Sequence, residues 1–125
     1  MSESSVALQN RTLHEIALCC QALDDKKAES ITVLNVREVS SITDYFVLAS
    51  GTSDPHLKAL NDAVQEALKK HDIHTIGTEQ SQNSGWIVLD AFDFMLHLFD
   101  VDTRNNYSLE TLWKDATIIE WREYL

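Results

Sequence analysis

Two short strands joined by a tight turn are predicted by Gly85-Trp-Ile-Val-Leu-Asp-Ala-Phe-Asp-Phe-Met-Leu-His-Leu-Phe99. The strands are residues 86–90 and 94–99, and the connection between them is short enough for an antiparallel hairpin. At least part of the sheet is therefore antiparallel. The stretch contains no nucleophile with a neighbouring base. It is therefore more typical of a surface that binds a macromolecule than of a catalytic pocket.

Side chains alternate between the two faces of a strand, which divides residues 86–90 into two sets. Ile87 and Leu89 suit a core, so Trp86, Val88 and Asp90 are expected to face outward. A strand tryptophan most often packs in a core, but tryptophan is also enriched at binding hot spots. Trp86 is therefore a candidate interface anchor.

The flanking sequence predicts the element order α-β-β-α-β-β-β, a single-domain mixed β-sheet flanked by helices in the α/β class. Residues 45–49 are apolar on both faces and are expected to form a central strand. Ser53 or Asp54 is expected to cap the second helix, which Pro55 begins. The predicted elements are a helix over 10–23 with an apolar stripe at helical spacing, strands over 31–36 and 45–49, and a helix ending near 71–72. They continue with a strand over 73–76, a polar and turn-rich segment over 77–85, the hairpin, and a short helix or turn over 104–113.

Composition limits the possible functions. The chain has 125 residues, 44% of them apolar, which suits one domain with its own core. The formal net charge of −10 disfavours binding to DNA or RNA and favours a basic protein partner, although acidity also serves solubility alone. The only two cysteines, Cys19 and Cys20, are adjacent and are expected to be buried thiols in a reducing compartment.

Neither a membrane span nor an export signal is expected. No apolar run approaches the roughly 18 residues of a membrane helix, and the first residues lack a signal pattern. Residues 1–9 are expected to be flexible, 10–116 to form the domain, and 117–125 to be a C-terminal extension.

Five motifs resemble, in order and spacing, those of the ribosomal silencing factor family, also called Iojap-like proteins. They are Ser40-Ser-Ile-Thr-Asp-Tyr-Phe46, Ala49-Ser-Gly-Thr-Ser53, Gly85-Trp-Ile-Val-Leu-Asp90, Leu96-His-Leu-Phe99 and Tyr107-Ser-Leu-Glu-Thr-Leu-Trp113. The resemblance implies a compact domain with a nucleotidyltransferase-like arrangement, no catalysis and no cofactor. It also implies binding to the fourteenth protein of the large ribosomal subunit, which would block joining with the small subunit.

The resemblance also implies which residues contact the partner. The family's surface comprises the strand that begins at the motif tryptophan and the turn after the aspartate. In this chain these positions are Trp86, Asp90, Ala91, Phe92 and Asp93. The chain departs from the family pattern at Gln80, where glycine is usual, and at Ala91-Phe92, where a large apolar residue and glycine are usual.

Two other constellations could support different chemistry. Asp100-Val-Asp102, with Gly51-Thr-Ser53 as a phosphate turn, resembles a metal-dependent nucleotidyltransferase site, but an acidic turn and a helix cap explain the same residues. His71 and His74 have zinc-like spacing without clear further ligands, so no metal is expected. His97 is expected to be a core or interface residue. A structural homodimer that uses the hairpin face is a second alternative.

The sequence therefore predicts a cytoplasmic repressor of translation that binds the large ribosomal subunit. Its affinity is expected to come from an apolar patch around Trp86, Ala91 and Phe92 with an acidic rim at Asp90 and Asp93.

Overall fold

The computed structural model describes residues 2–38, 43–73, 75, 77–80, 85–91, 93–107, 114 and 116–125. The helices are α1 (Ser2–Asp25), α2 (Asp54–Lys70) and α3 (Val101–Tyr107), and Trp121–Tyr124 form a 3₁₀ turn. The strands are β1 (Glu29–Asn35), β2 (Tyr45–Gly51), β3 (Gly77–Gln80), β4 (Trp86–Asp90), β5 (Phe94–Asp100) and β6 (Thr117–Ile119).

The strands form one mixed sheet in the order β3-β4-β5-β2-β1-β6. β2 and β5 pair in parallel, with Tyr45 opposite Phe94, and the other neighbours pair antiparallel. All seven residues of β2 are buried, which confirms that it is a central strand. The prediction of a mixed α/β domain is therefore confirmed.

The main core lies between one face of the sheet and the helices α1 and α2. The predicted stripe of α1 is buried there, and Leu57, Leu60, Val64 and Leu68 of α2 pack beside it. The sheet contributes Val47, Leu96 and Leu98 among others. The predicted inner residues of β4, Ile87 and Leu89, belong to this same core.

Capping interactions at both ends of α2 explain where this helix begins and ends. Ser53 is the N-cap of α2, and its hydroxyl oxygen accepts from the backbone N–H of His56 at 3.2 Å. At the other end, Asp72 adopts a left-handed backbone with φ of 58°. The Ile73 N–H donates to the Leu68 carbonyl and the Asp72 N–H to the Lys69 carbonyl. This is the Schellman arrangement that closes helix ends.

The Schellman turn corrects the predicted strand over 73–76. Ile73 is committed to closing α2, so its backbone N–H is not available to a sheet. The strand instead occupies Gly77–Gln80, within the segment expected to be a turn, and Gly77 pairs with Asp90. His74, and with it the zinc-like pair, lies outside the described residues.

Both chain ends carry regular structure. Residues 2–9 belong to α1. Residues 117–125 add β6 beside β1 and bury Trp121 in the main core. The division into a flexible N-terminus, a domain and an extension stays a prediction. The helix expected over 104–113 starts earlier, at Val101, because Asp100 caps it: a carboxylate oxygen of Asp100 accepts from the Thr103 N–H at 2.8 Å.

Of the helices among the described residues, none combines the length and apolar character that crossing a bilayer requires.

Candidate partner-binding site

β4 presents its two faces as the alternation predicted. Ile87 and Leu89 are buried against the helices, whereas Trp86, Val88 and Asp90 are half-buried on the opposite face. We call that opposite side of the sheet the aromatic face and define it by Phe46, Trp86, His97 and Phe99. Trp86 is therefore held at the edge of a second, smaller cluster and is outside the main core.

The aromatic face is built by the strand register. Trp86 stands opposite Phe99 across the hairpin, and His97 stands two pairs further along, opposite Val88. The Trp86 and Phe99 rings are 5.5 Å apart between centroids, and the Trp86 and His97 rings 5.9 Å apart. The indole N–H of Trp86 donates to Nδ1 of His97 at 3.2 Å. Ring contacts and a hydrogen bond thus both orient Trp86.

His97 is 7% exposed, and burial lowers its pKa to about 4. Desolvation disfavours the charged imidazolium, so the ring is neutral near pH 7. An indole N–H can only donate, so Nδ1 is the acceptor and the neutral ring carries its proton on Nε2. From its sequence context, His97 was expected to be a core or interface residue. The structure places it in contact with the candidate anchor.

The turn of the hairpin is closed by its own backbone. The Ala91 N–H donates to the Phe94 carbonyl at 3.0 Å, and the Asp93 N–H donates to the Ala91 carbonyl at 3.0 Å. The Asp44 N–H donates to the Asp93 carbonyl at 3.3 Å, which ties the turn to the start of β2. The turn that carries the candidate site is therefore anchored at both ends.

Ala91 does not contribute to an exposed apolar patch. It is 5% exposed and packs in the main core, on the helix side of the sheet. This corrects the expectation that Ala91 and Trp86 share one surface. Phe92 lies outside the described residues, as does the side chain of Gln80.

Carboxylates gather at the end of the sheet where the turn lies. Asp90 and Asp93 are half-buried, and Asp44 is exposed beside Asp93. Glu15 of α1 joins them. Its pKa is raised first by burial and further by the charge of Asp93, while Arg11 acts in the opposite direction. We call Glu15, Asp44, Asp90 and Asp93 the acidic rim. Glu15 and Asp44 are distant from the hairpin in sequence, and no local pattern indicates them.

Two residues of the alternative phosphate site, Ser53 and Asp100, act as helix caps. Asp100 caps α3, and Asp102 is exposed in the first turn of that helix. In the glycine-led turn, the Thr52 N–H donates to Nδ1 of His56 at 2.9 Å. Among the described residues, no group of three or more His, Cys, Asp or Glu is placed to hold a metal ion. Capping therefore accounts for these side chains without a ligand.

Both cysteines are fully buried free thiols. Burial raises the pKa of Cys19 to about 12 and raises the pKa of Cys20 as well, with Cys19 as its second cause. The nucleophile is the thiolate, so both groups are inert packing residues near neutral pH.

Comparison with known proteins supplies the family. A family model described as "Ribosomal silencing factor during starvation" matches residues 9–124. The ribosomal silencing factor of Halalkalibacterium halodurans is 32% identical over 113 residues, which cover 90% of this chain and 95% of that protein. The mouse protein named "Mitochondrial assembly of ribosomal large subunit protein 1" is 31% identical over 102 residues, covering 79% of this chain and 45% of that protein.

A solved structure has a similar fold. The crystal structure of a protein from Chromobacterium violaceum has a TM-score of 0.76 and 30% identity to this chain, covering 80% of this chain and 83% of the other. The match of the family model includes β6 and the 3₁₀ turn, so the whole sheet lies within the family's domain. The relatives from Halalkalibacterium halodurans and Bacillus subtilis are named as silencing factors and not as enzymes. The chain belongs to the ribosomal silencing factor family, whose members act in the regulation of translation.

Proposed function

We propose that this protein binds the large ribosomal subunit through its fourteenth ribosomal protein and sterically blocks joining with the small subunit. The observation that carries the proposal is the outward placement of Trp86 on β4, on the same face of the strand as Asp90, in a chain of this family. The proposed contact residues are Trp86, Asp90 and Asp93, together with Phe92. Ala91 supports them from the core side of the turn.

The charge of the surface fits a basic protein partner. The chain carries a formal net charge of −10, and the acidic rim gathers carboxylates at the turn end of β4, the strand that carries Trp86. A complementary positive surface would be attracted over about a Debye length, roughly 8 Å at physiological salt. A half-buried tryptophan that shares its strand face with a half-buried aspartate fits the anatomy of protein interfaces, in which an aromatic centre has a polar rim. We place the proposed activity in the cytoplasm.

Two measurements on purified bacterial ribosomal subunits test the proposal. The protein should co-sediment with free large subunits and not with small subunits. When the subunits are mixed at a magnesium concentration that favours joining, added protein should lower the yield of joined particles in a sucrose gradient. Trp86→Ala should lose both effects.

The outcomes separate the two parts of the proposal. Failure to co-sediment with large subunits would remove the proposed partner. Co-sedimentation with an unchanged yield of joined particles would leave a ribosome binder and remove the steric mechanism. Cross-linking of the bound protein followed by mass spectrometry should identify the fourteenth large-subunit protein, and a different neighbour would contradict that assignment.

A further inference from the structure

The hydrogen bond between Trp86 and His97 joins a surface residue to a buried one. The donor is half-buried on β4, and the acceptor is 7% exposed on β5. The bond runs diagonally across the hairpin, since Trp86 is paired with Phe99 and His97 with Val88. A tryptophan in a strand can adopt several side-chain rotamers, and a fixed acceptor selects the one that places its N–H toward His97.

His97 is itself held on several sides. Leu48 of β2 and Val88 of β4 stand opposite it in the two neighbouring strands. The Phe46 ring lies 5.1 Å from the imidazole between centroids, and the Phe99 ring lies 6.1 Å away and nearly parallel at 15°. The imidazole cannot rotate without displacing these side chains, so it is a rigid acceptor.

A buried arginine supports the same cluster from α3. The Arg104 guanidinium lies 5.9 Å from the centre of the Phe99 ring. It donates to the Ser30 carbonyl at 2.8 Å and to the Ser50 hydroxyl at 3.0 Å. These bonds fix the guanidinium to β1 and β2, and so the cluster beneath Trp86 is tied to the centre of the sheet.

We propose that His97 is a positioning residue that holds the Trp86 indole in the orientation required for partner binding. The inference rests on the proposed function, in which Trp86 is the anchor. An anchor that is already ordered in the free protein loses less conformational entropy on binding, and its affinity is correspondingly higher. His97 contributes through Trp86, and its own side chain lies beneath the surface.

A purely structural role for His97 makes a different prediction, and substitutions can separate the two. His97→Phe keeps an aromatic ring of similar size for the contacts with Phe46 and Phe99 but removes the acceptor. His97→Asn loses the ring but keeps an oxygen near the position of Nδ1. Trp86→Phe keeps an aromatic anchor but removes the donor. If His97 acts through the hydrogen bond, His97→Phe should have no further effect once Trp86→Phe has removed the donor.

The test is a double-mutant cycle read as affinity for purified bacterial large ribosomal subunits. His97→Phe should weaken binding by about fivefold to tenfold, the size expected for one hydrogen bond. His97→Asn should recover most of that loss. In the Trp86→Phe background, His97→Phe should change the affinity by less than about twofold. Circular dichroism and thermal unfolding of each variant check that the fold is retained.

Nuclear magnetic resonance of the free protein supplies an independent readout. The indole N–H signal of Trp86, assigned from its loss in Trp86→Phe, should shift and exchange faster with solvent in His97→Phe and return toward the parent position in His97→Asn. Parent-like binding by His97→Phe, or an equal loss of binding in the Trp86→Phe background, would overturn the inference alone. If the parent protein does not bind large subunits, the proposed function fails, and the inference fails with it.

Discussion

Gly85 and Asp100 hold the open end of the hairpin together, with the Asp100 N–H donating to the Gly85 carbonyl at 2.9 Å. Gly85 has φ of 68°, and a Cβ built on it would stand 2.8 Å from Cγ of Asp100 and 2.9 Å from the Thr103 hydroxyl. The glycine that precedes the candidate anchor is therefore required both by its backbone and by the cap of α3 that it packs against.

We predict that Gly85→Ala destabilises the protein by about 2 kcal/mol or more, since it combines an unfavourable backbone with a clash. Urea unfolding measures the change. Gly51→Ala is the matched control: its Cβ would also meet a side chain, Cδ2 of Leu57 at 2.8 Å, but Gly51 does not have a left-handed backbone. Gly51→Ala should lose less stability than Gly85→Ala. A Gly85→Ala variant as stable as the parent protein would contradict the role assigned to Gly85.

Trp86→Ala should weaken binding to large subunits by about 30-fold, because truncating an interface anchor typically costs about 2 kcal/mol. Trp86 is half-buried, so the variant should still unfold cooperatively. Ile118→Ala, at an exposed position of β6 on the sheet edge far from β4, serves as the control and should bind nearly normally. Unimpaired binding by Trp86→Ala would show that Trp86 is not an interface anchor. Complete unfolding of the variant would show that Trp86 is needed for the fold.

The acidic rim should accelerate association. Asp93→Asn combined with Asp44→Asn should lower the association rate several-fold at low salt and reduce its dependence on ionic strength, with little change in dissociation. Asp62→Asn removes a charge from an exposed position on α2 and is the control. Stopped-flow rates that are flat with salt in the parent protein would show that the rim does not steer the encounter.

Burial of His97 makes stability depend on pH. Its pKa is about 4 in the folded protein, below the ordinary value of 6.5. The unfolded chain therefore binds the proton first as the pH falls. The stability that neutral His97 gives to the folded protein is fully present above about pH 6.5. It declines as the pH falls below that value and is lost near pH 4. The free energy of unfolding lost over this range is about 3 kcal/mol.

Urea unfolding between pH 7.5 and pH 4 tests this, with His97→Phe as the reference because it keeps every other titrating group. The parent should lose more stability than the variant over this range. Parallel curves would contradict the lowered pKa of His97.

Nucleotides should not bind. Asp100 already caps α3, and the backbone N–H of Thr52 is already bonded to His56. Calorimetry with ATP, CTP and GTP plus magnesium should show no heat of binding in the micromolar range. A clear isotherm that disappears in Asp100→Ala would favour the nucleotidyltransferase alternative.

Much of the fold follows from local patterns in the chain. The hairpin, its three-residue connection, the inner and outer faces of β4, the N-cap at Ser53 and the buried stripe of α1 all agree with prediction. Each of these depends on neighbours within a few positions, through side-chain alternation, helical spacing or capping. The outward direction of Trp86 belongs to this group.

Tertiary contacts decided the remainder. Nothing local shows that β5 pairs in parallel with β2, that β6 joins the sheet, or that Glu15 reaches Asp93. The strand lies at Gly77–Gln80 and not at 73–76, because the residues directly after α2 form the turn that ends that helix.

The candidate site divides in the same way. The sequence by itself determined which face of β4 carries Trp86 and Asp90, because alternation along a strand is a property of the backbone. Only the tertiary structure decided that His97 lies under Trp86 as a neutral acceptor and that four carboxylates share one end of the sheet. Burial, hydrogen-bond partners and neighbouring charges depend on which strands and helices meet, and no single segment contains that information.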